Sequence, residues 1–324
     1  MRKKKLVALL TALLAAGGWY GHSKLPQGIW KRLLSSSGAA GGMLSTAPPV
    51  ERSGNAIRVA SFNIQVFGEK KLSKPEVADV VARVIRYFDV VAIQEIRDAN
   101  DDFLRRFVSQ VNAGGAYYDY VIGPRLGRSN SKEQYAFIYN AASLECDRQN
   151  VYTVDDPDDL LHREPLVAGF RVRGPPPEQA FTFTLVDIHT DPDEVQAELN
   201  VLDDVFRAVR DDGRGEDDII LLGDLNADDH HFGELGQMGY ITWVITGMPT
   251  NTRGTHLYDN LLFDSRTTVE YDRRAGVFDL MNEFHLSMGQ ALAVSDHLPI
   301  WAEFSLMEGG KGALVSQAGA SNLR

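Results

Sequence analysis

Ile57-Arg58-Val59-Ala60-Ser61-Phe62-Asn63-Ile64, then Pro75 to Phe88, then Val90-Val91-Ala92-Ile93-Gln94-Glu95 form the stretch that decides the fold. The first run is dense in apolar and β-branched residues and predicts a strand. In the second, Val77, Val80, Val81, Val84 and Ile85 recur at helical spacing. Ser73 or Lys74 stands near the cap and Pro75 in the first turn, so a helix is predicted over 75–88. The third run is short and apolar and predicts a buried strand over 90–94. A strand, a covering helix and a second strand, each ending near a polar side chain, set the pattern for the whole chain.

The same alternation continues outward. Strands are predicted over 134–139, 144–154, 166–172, 181–188, 219–222 and 257–263, with a surface loop carrying Pro175, Pro176 and Pro177. Residues 193–209 form the clearest helical pattern, with Val195, Leu199, Leu202, Val205, Phe206 and Val209 on one face. Long helices mixed with strands predict an α/β fold in which helices cover sheet faces.

At 324 residues, 44% hydrophobic and 24% charged, the chain can bury a sizeable core. Its net charge of -11 argues against a passive nucleic-acid coat. An enzyme that meets a polyanion through a few arginines and bound cations remains compatible, because the cation's charge is absent from the sum. The single cysteine, Cys146, excludes an intrachain disulfide. It lies in an alternating stretch with no partner motif and reads as an ordinary strand residue.

Met1-Arg2-Lys3-Lys4-Lys5 and an apolar run to about Tyr20 carry the signature of export. Residues 1–22 are therefore expected to be a signal peptide or signal anchor. The run is short for a membrane span, and an anchor would be the only membrane contact. Residues 23–55, rich in Ser, Gly, Ala and Pro, read as a flexible tether. The folded domain is expected over 56–306, with a flexible tail over 307–324. The protein is expected to be exported, either secreted or periplasmic, and monomeric.

Polar residues gather where strands end, as catalytic groups do on rigid sheets. Asn63 closes the first strand, Glu95 follows the second, and His189 ends the strand over 181–188. Asp224 and Asn226 follow the strand over 219–222. Asp259 is early in its strand, and Asp296 and His297 precede the last one. Singly, each has a bland reading as a turn or core residue. Together they suit phosphodiester hydrolysis, which needs activated water, a protonated leaving oxygen and charge stabilisation at phosphorus. Glu95, Asp296 and Asn63 offer oxygens for a hard cation. His189 and His297 can move protons, and Glu133 and Asp259 are carboxylates available to orient them. Motifs for a covalent serine or cysteine mechanism and zinc spacings are absent.

These segments resemble the endonuclease/exonuclease/phosphatase superfamily, and within it the deoxyribonuclease I branch. Matching stretches run from Ile57–Glu69 through Ile93–Asp98, Leu126-Gly127-Arg128, Lys132–Tyr135, Arg163-Glu164-Pro165, Asp187–Thr190, Gly223–Asp228 and Tyr258-Asp259 to Ala291–Pro299. The resemblance implies a four-layer sandwich of two packed, mainly antiparallel sheets flanked by helices, with the site at one sheet edge. It implies that Glu133 orients His189 and Asp259 orients His297, without saying which histidine is the acid. It implies that Asn63, Asp224 and Asn226 position phosphate and water, and that Glu95 and Asp296 hold Mg²⁺ or Mn²⁺. Arg97 is implied in the DNA minor groove, and Arg128 and Arg163 at DNA or the scissile phosphate. The acidic loop resembles a shortened calcium loop, which makes Asp155, Asp159 and Glu164 candidates for structural Ca²⁺.

Departures from the family pattern matter too. Ser131 stands where the family often has a tyrosine packed on deoxyribose. Asp229 and His256 occupy positions of a disulfide found in secreted animal members. Asp228-Asp229-His230-His231 reads as the start of a short helix rather than a second metal site. Thr250 and Thr252, in a polar loop over 247–254, are weaker candidates for calcium or substrate binding. The expected function is low-specificity, metal-dependent DNA endonuclease activity. The rivals are a phosphoinositide phosphatase or sphingomyelinase-like enzyme, an apurinic-site repair enzyme, and an inactive binding module on the same fold.

Overall fold

The computed structural model describes residues 54–128 and 132–310. The leader over 1–22, nearly all of the tether, Ser131 and the tail beyond Gly310 lie outside the described residues. In chain order the elements begin with β1 (Ala56–Phe67), α1 (Glu69–Leu72), α2 (Pro75–Ile85), β2 (Val90–Ile96) and α3 (Asp102–Val111). Next come β3 (Tyr118–Ile122), β4 (Gln134–Asn140), β5 (Leu144–Cys146), β6 (Tyr152–Thr153), β7 (Leu166–Val172) and β8 (Thr182–His189). They are followed by α4 (Val195–Leu199), α5 (Leu202–Arg210), β9 (Ile219–Asp224), β10 (Ile241–Trp243) and β11 (Asp259–Asp264). β12 (Tyr271–Val277), α6 (Leu280–Phe284), α7 (Met288–Val294) and β13 (Ile300–Ser305) complete the fold.

The strands form two sheets, ordered β12-β13-β1-β2-β4-β3 and β10-β11-β9-β8-β7-β5, with β6 also paired to β7. Pairing is antiparallel except for β1 with β2 and β8 with β9. Both parallel pairs are joined through helices, as a parallel connection requires. Between the sheets, Val59, Val90 and Phe137 of one pack with Phe183, Leu222 and Phe263 of the other. On the outer face of the second sheet, Val186, Ile219 and Leu221 meet Leu199, Leu202, Val205 and Phe206 of α4 and α5. On the first sheet, Phe67 meets Phe103 and Phe107 of α3 edge to face, at 4.9 and 5.1 Å. The result is the expected four-layer sandwich.

Some local expectations are revised. The helix over 193–209 is two helices broken at Asn200 and Val201. The loop carrying Gly233 is pressed against the Leu199 carbonyl at the break, where a Cβ would sit 2.7 Å from that oxygen. The strand over 144–154 is split by a short 3₁₀ turn at Arg148–Asn150, which the Asp147 side chain caps by accepting from Gln149 N. No helix starts at Asp228; its carboxylate accepts from His230 N at 3.0 Å and lies 2.6 Å from His231 Nδ1, making a local turn. Packing continues past residue 306, since Met307 bridges Ala180 and Glu308 N donates to Gln179 O. Among the described residues no helix is long and apolar enough to cross a membrane.

Candidate active site

Register brings the site together. His189 is the partner of Asp224 across β8 and β9, and Asp224 is the partner of Asp259 across β9 and β11. Opposed residues in paired strands project to the same face, so three titratable side chains stand on one rung. Gly223 permits this: at φ +148 a Cβ there would lie 1.8 Å from the Ile188 carbonyl oxygen. In the other sheet β1 and β2 carry facing irregularities near their ends, between Asn63 and Phe67. Val66 and Glu95 both have positive φ there, +49 and +61, a conformation rare outside glycine and concentrated at functional sites. The Glu95 carboxylate accepts the Val66 N–H at 2.9 Å, joining the two bulges.

Two histidine–carboxylate pairs face one another. His189 Nδ1 lies 2.6 Å from Glu133 Oε1, and His297 Nδ1 lies 2.9 Å from Asp259 Oδ2. An ionised carboxylate only accepts, so each Nδ1 donates and each Nε2 is fixed toward the site. Both Nε2 atoms lie 3.5 Å from the same oxygen, Asp224 Oδ2. Asn63 Nδ2 donates to that oxygen at 2.9 Å, and Asp224 Oδ1 accepts the Asn226 N–H at 3.0 Å. Asn226, at φ +47, ties its amide to the Thr190 carbonyl.

Burial disfavours an ionised Glu133, but His189, Arg163 and Arg97 outweigh it and hold the carboxyl below its ordinary range. Burial also disfavours protonated His189, yet Glu133 and Asp224 raise its pKa above the usual histidine value. His297 is raised well above that value, because Asp259, Asp224 and Asp296 outweigh its burial.

Several further groups support this arrangement; Thr250 and Thr252 were weaker candidates in the sequence, while Tyr135 and Lys71 escaped it. Thr250 Oγ1 donates to Asp259 Oδ2 at 2.6 Å and accepts from Tyr258 N and Asp259 N. Thr252 donates to the Ser295 carbonyl. Both threonines therefore serve the fold of the site. The Tyr135 hydroxyl accepts the His189 N–H at 3.0 Å. Lys71 reaches the Val294 carbonyl, and burial lowers its pKa to about 8 although Asp296 and Glu95 oppose that shift. No sequence pattern marked Tyr135 or Lys71 as partners of the site. Beside the site, His256 stacks on Tyr258 at 5.3 Å, and Tyr258 lies 5.7 Å from His297. These aromatics border a cleft of about 520 Å³ that also takes in Asn226 and His231.

The profile of the Endonuclease/Exonuclease/phosphatase family matches residues 60–297. The chain belongs to that family. Human deoxyribonuclease-1-like 2 is 31% identical over 275 residues, covering 76% of this chain and 91% of the relative. Pig (Sus scrofa) deoxyribonuclease-1-like 1 is 33% identical over 262 residues, covering 77% and 81%. The crystal structure of humanized D. rerio TDP2 superposes with a TM-score of 0.55 at 15% identity, covering 77% of this chain and 99% of that one, which speaks for the fold. This family member is deoxyribonuclease I-like, a hydrolase acting on phosphodiester bonds.

The family's divalent-metal chemistry finds fitting donors here. Asn63 Oδ1 and Asp296 Oδ1 are buried oxygens without a hydrogen-bond partner. Asp296 Oδ2 accepts from Gln65 Nε2 at 2.8 Å, and Glu95 is steadied by Val66 N and Arg97. Asp224, Asp259 and His297 also offer ligand atoms close enough to share an ion, but Asp224 already accepts from Asn63 and Asn226, and Asp259 from Thr250 and His297.

The arginines differ in placement. Arg97, partly exposed, lies 3.0 Å from Glu95 and 3.5 Å from Glu133. Arg128 is a surface residue paired with Asp159 at 3.1 Å and Glu194 at 2.7 Å. Arg163 is 7% exposed; its Nε lies 3.1 Å from the His189 carbonyl and 3.2 Å from Glu133. It braces the Glu133–His189 pair, and its buried Nη2 has no hydrogen-bond partner. Among the described residues Asp155, Asp159 and Glu164 do not converge as a ligand group; Asp159 turns to Arg128. Cys146 is half-buried, and burial raises its thiol to about 12, which fits the strand-residue reading.

Proposed function

We propose that the protein is a divalent-metal-dependent endonuclease that hydrolyses DNA phosphodiester bonds with low sequence specificity. The observation that carries this reading is the pair of buried histidines whose Nε2 atoms meet one oxygen of Asp224 at 3.5 Å, each backed by its own carboxylate. In-line displacement needs one group that takes a proton and one that gives it. A neutral imidazole accepts the proton of a water whose oxygen forms the new bond to phosphorus. The bond to the leaving oxygen breaks, and the opposing imidazolium protonates that oxygen. Glu133 and Asp259 hold the two rings in the tautomers this requires, and Thr250 and Arg163 hold the carboxylates.

Asn63 and Asn226 supply amide groups beside Asp224 for a non-bridging phosphate oxygen and the water. Glu95, Asp296 and the Asn63 carbonyl would hold Mg²⁺ or Mn²⁺, which would stabilise charge at phosphorus. DNA as substrate rests on the named deoxyribonuclease relatives and on Arg97 beside Glu95 and Glu133, with Arg128 a surface cation. Arg97 is assigned to the minor groove and Arg128 to backbone phosphate. Export through residues 1–22 and action as a monomer accompany this reading. The test is parallel hydrolysis of duplex DNA, a phosphoinositide and sphingomyelin with Mg²⁺. Preferential cutting of DNA supports it; turnover of either lipid with intact DNA replaces it with the rival enzyme class.

A further inference from the structure

Away from the histidine pair, the other end of β9 carries a second concentration of charge. Glu216, Asp217 and Asp218 lead into the strand, Glu270 precedes β12, and Glu308 follows β13. Asp218 and Asp224 are separated by six residues of extended chain, on the order of 20 Å.

We propose that Asp218, Glu270 and Glu308 form a structural site for a hard divalent cation, calcium first, which fastens the segment after β13 to the start of β9. One oxygen from each lies within 4.8 Å of the others. Two oxygens on one Ca²⁺ at about 2.4 Å can be no more than about 4.8 Å apart, so no pair among the three is too far apart to share an ion. Asp218 and Glu270 are each 1% exposed, and Asp218 Oδ1 and Glu270 Oε2 have no hydrogen-bond partner. Buried acceptors left unmatched are rare and mark a missing partner. Nearby charges do not supply one: Asp218 faces Glu270, Glu308 and Glu216, with the neutral Thr268 hydroxyl beside it, while Glu308 faces Asp218, Glu216 and Asp217. Among the described residues none of the five carboxylates makes an ion pair with a basic side chain.

The remaining valences have defined uses. Glu270 Oε1 accepts the Gly309 N–H at 2.6 Å and Glu308 Oε2 accepts the Thr182 N–H at 3.3 Å. Glu308 is exposed on its outer side, which leaves room for coordinating water. An all-oxygen set with flexible geometry suits Ca²⁺ better than Mg²⁺, which demands a near-ideal octahedron. Without a cation, burial and mutual repulsion raise Asp218 to about 8 and Glu270 to about 7; a bound ion would replace the protons.

The experiment is hydrogen exchange of the metal-stripped full chain, read on peptides covering residues 304–310 and 265–272, with Ca²⁺ added and Mg²⁺ as comparator. Parent protein, Asp218→Asn and Glu270→Gln are compared with Asp159→Ala, which reports on the separate acidic loop. At Ca²⁺ ten times its Kd, exchange through opening of these segments should slow about tenfold. The slowing should persist in Asp159→Ala and vanish in the other two variants. No slowing in the parent at millimolar Ca²⁺ overturns the proposal, even if a variant fails to fold. So does slowing that survives both substitutions. Protection that instead rises only on acidifying the metal-free protein from pH 8 to 5 identifies shared protons, not an ion.

Discussion

Replacing Thr250 by valine tests how the second histidine pair is held. Valine matches threonine in shape but has no hydroxyl. Thr250 is fully buried, and its hydroxyl donates to Asp259 Oδ2 at 2.6 Å while accepting from Tyr258 N at 2.9 Å and Asp259 N at 3.1 Å. A hydrogen bond to an ionised group contributes about 1.5–3 kcal/mol, and groups stranded in the interior cost about 1–3 kcal/mol each. Backbone relaxation can recover part of that, so unfolding stability should fall by about 2–4 kcal/mol. Asp259 then orients His297 through one contact fewer. If up to the whole charged bond is felt in the transition state, kcat/KM falls between about 10-fold and 100-fold. Thr250→Ser keeps the hydroxyl and should stay near the parent in both measures. The assay is initial-rate nicking of plasmid DNA with Mg²⁺, beside urea unfolding. Rates for folded Thr250→Val within twofold of the parent would refute the positioning argument. So would a serine variant as slow as the valine one.

Two further outcomes follow from the charges. Arg128→Ala should lower the slope of log affinity for duplex DNA against log salt by about 0.9, one phosphate contact; an unchanged slope would mean that Arg128 stays with Asp159 and Glu194 when DNA binds. In EDTA the melting temperature should fall from pH 5 to pH 8. Asp218 and Glu270 keep protons in the fold up to about 8 and about 7 that the unfolded chain has already released, so the folded state binds more protons in that window. Asp218→Asn should flatten the decline; a parent whose stability rises across the window would contradict it.

Strands and the polar residues at their ends were readable because they obey local rules. The runs over 57–64, 90–94 and 166–172 have the composition of buried strands, and they occupy β1, β2 and β7. Pro75 and the valine spacing placed α2. Where tertiary contacts decide, the sequence was silent. The break between α4 and α5 follows from the Gly233 loop lying against Leu199, a contact thirty-odd residues away with no local signal. The 3₁₀ turn after β5 rests on hydrogen bonds from Gln149 N and Asn150 Nδ2 to the Asp147 side chain. Asn63, His189, Asp224, Asp259 and His297 were singled out by chemistry and order, and the structure brings them together. Their meeting depends on strand register, which the sequence does not print. Arg163 illustrates the limit: its type suggested a phosphate contact, and nothing in the sequence showed that its Nε also reaches Glu133 and the His189 carbonyl. Thr250 was read only as a weaker calcium or substrate candidate and Tyr135 was missed, because their value lies wholly in the atoms they touch.

The most direct test of the central claim is nicking of supercoiled plasmid by the purified protein in Mg²⁺, beside EDTA and His297→Ala. The geometry predicts relaxation of the plasmid that is abolished by the chelator and reduced by orders of magnitude in the variant. Undiminished cutting by folded His297→Ala, or by the parent in EDTA, would contradict it.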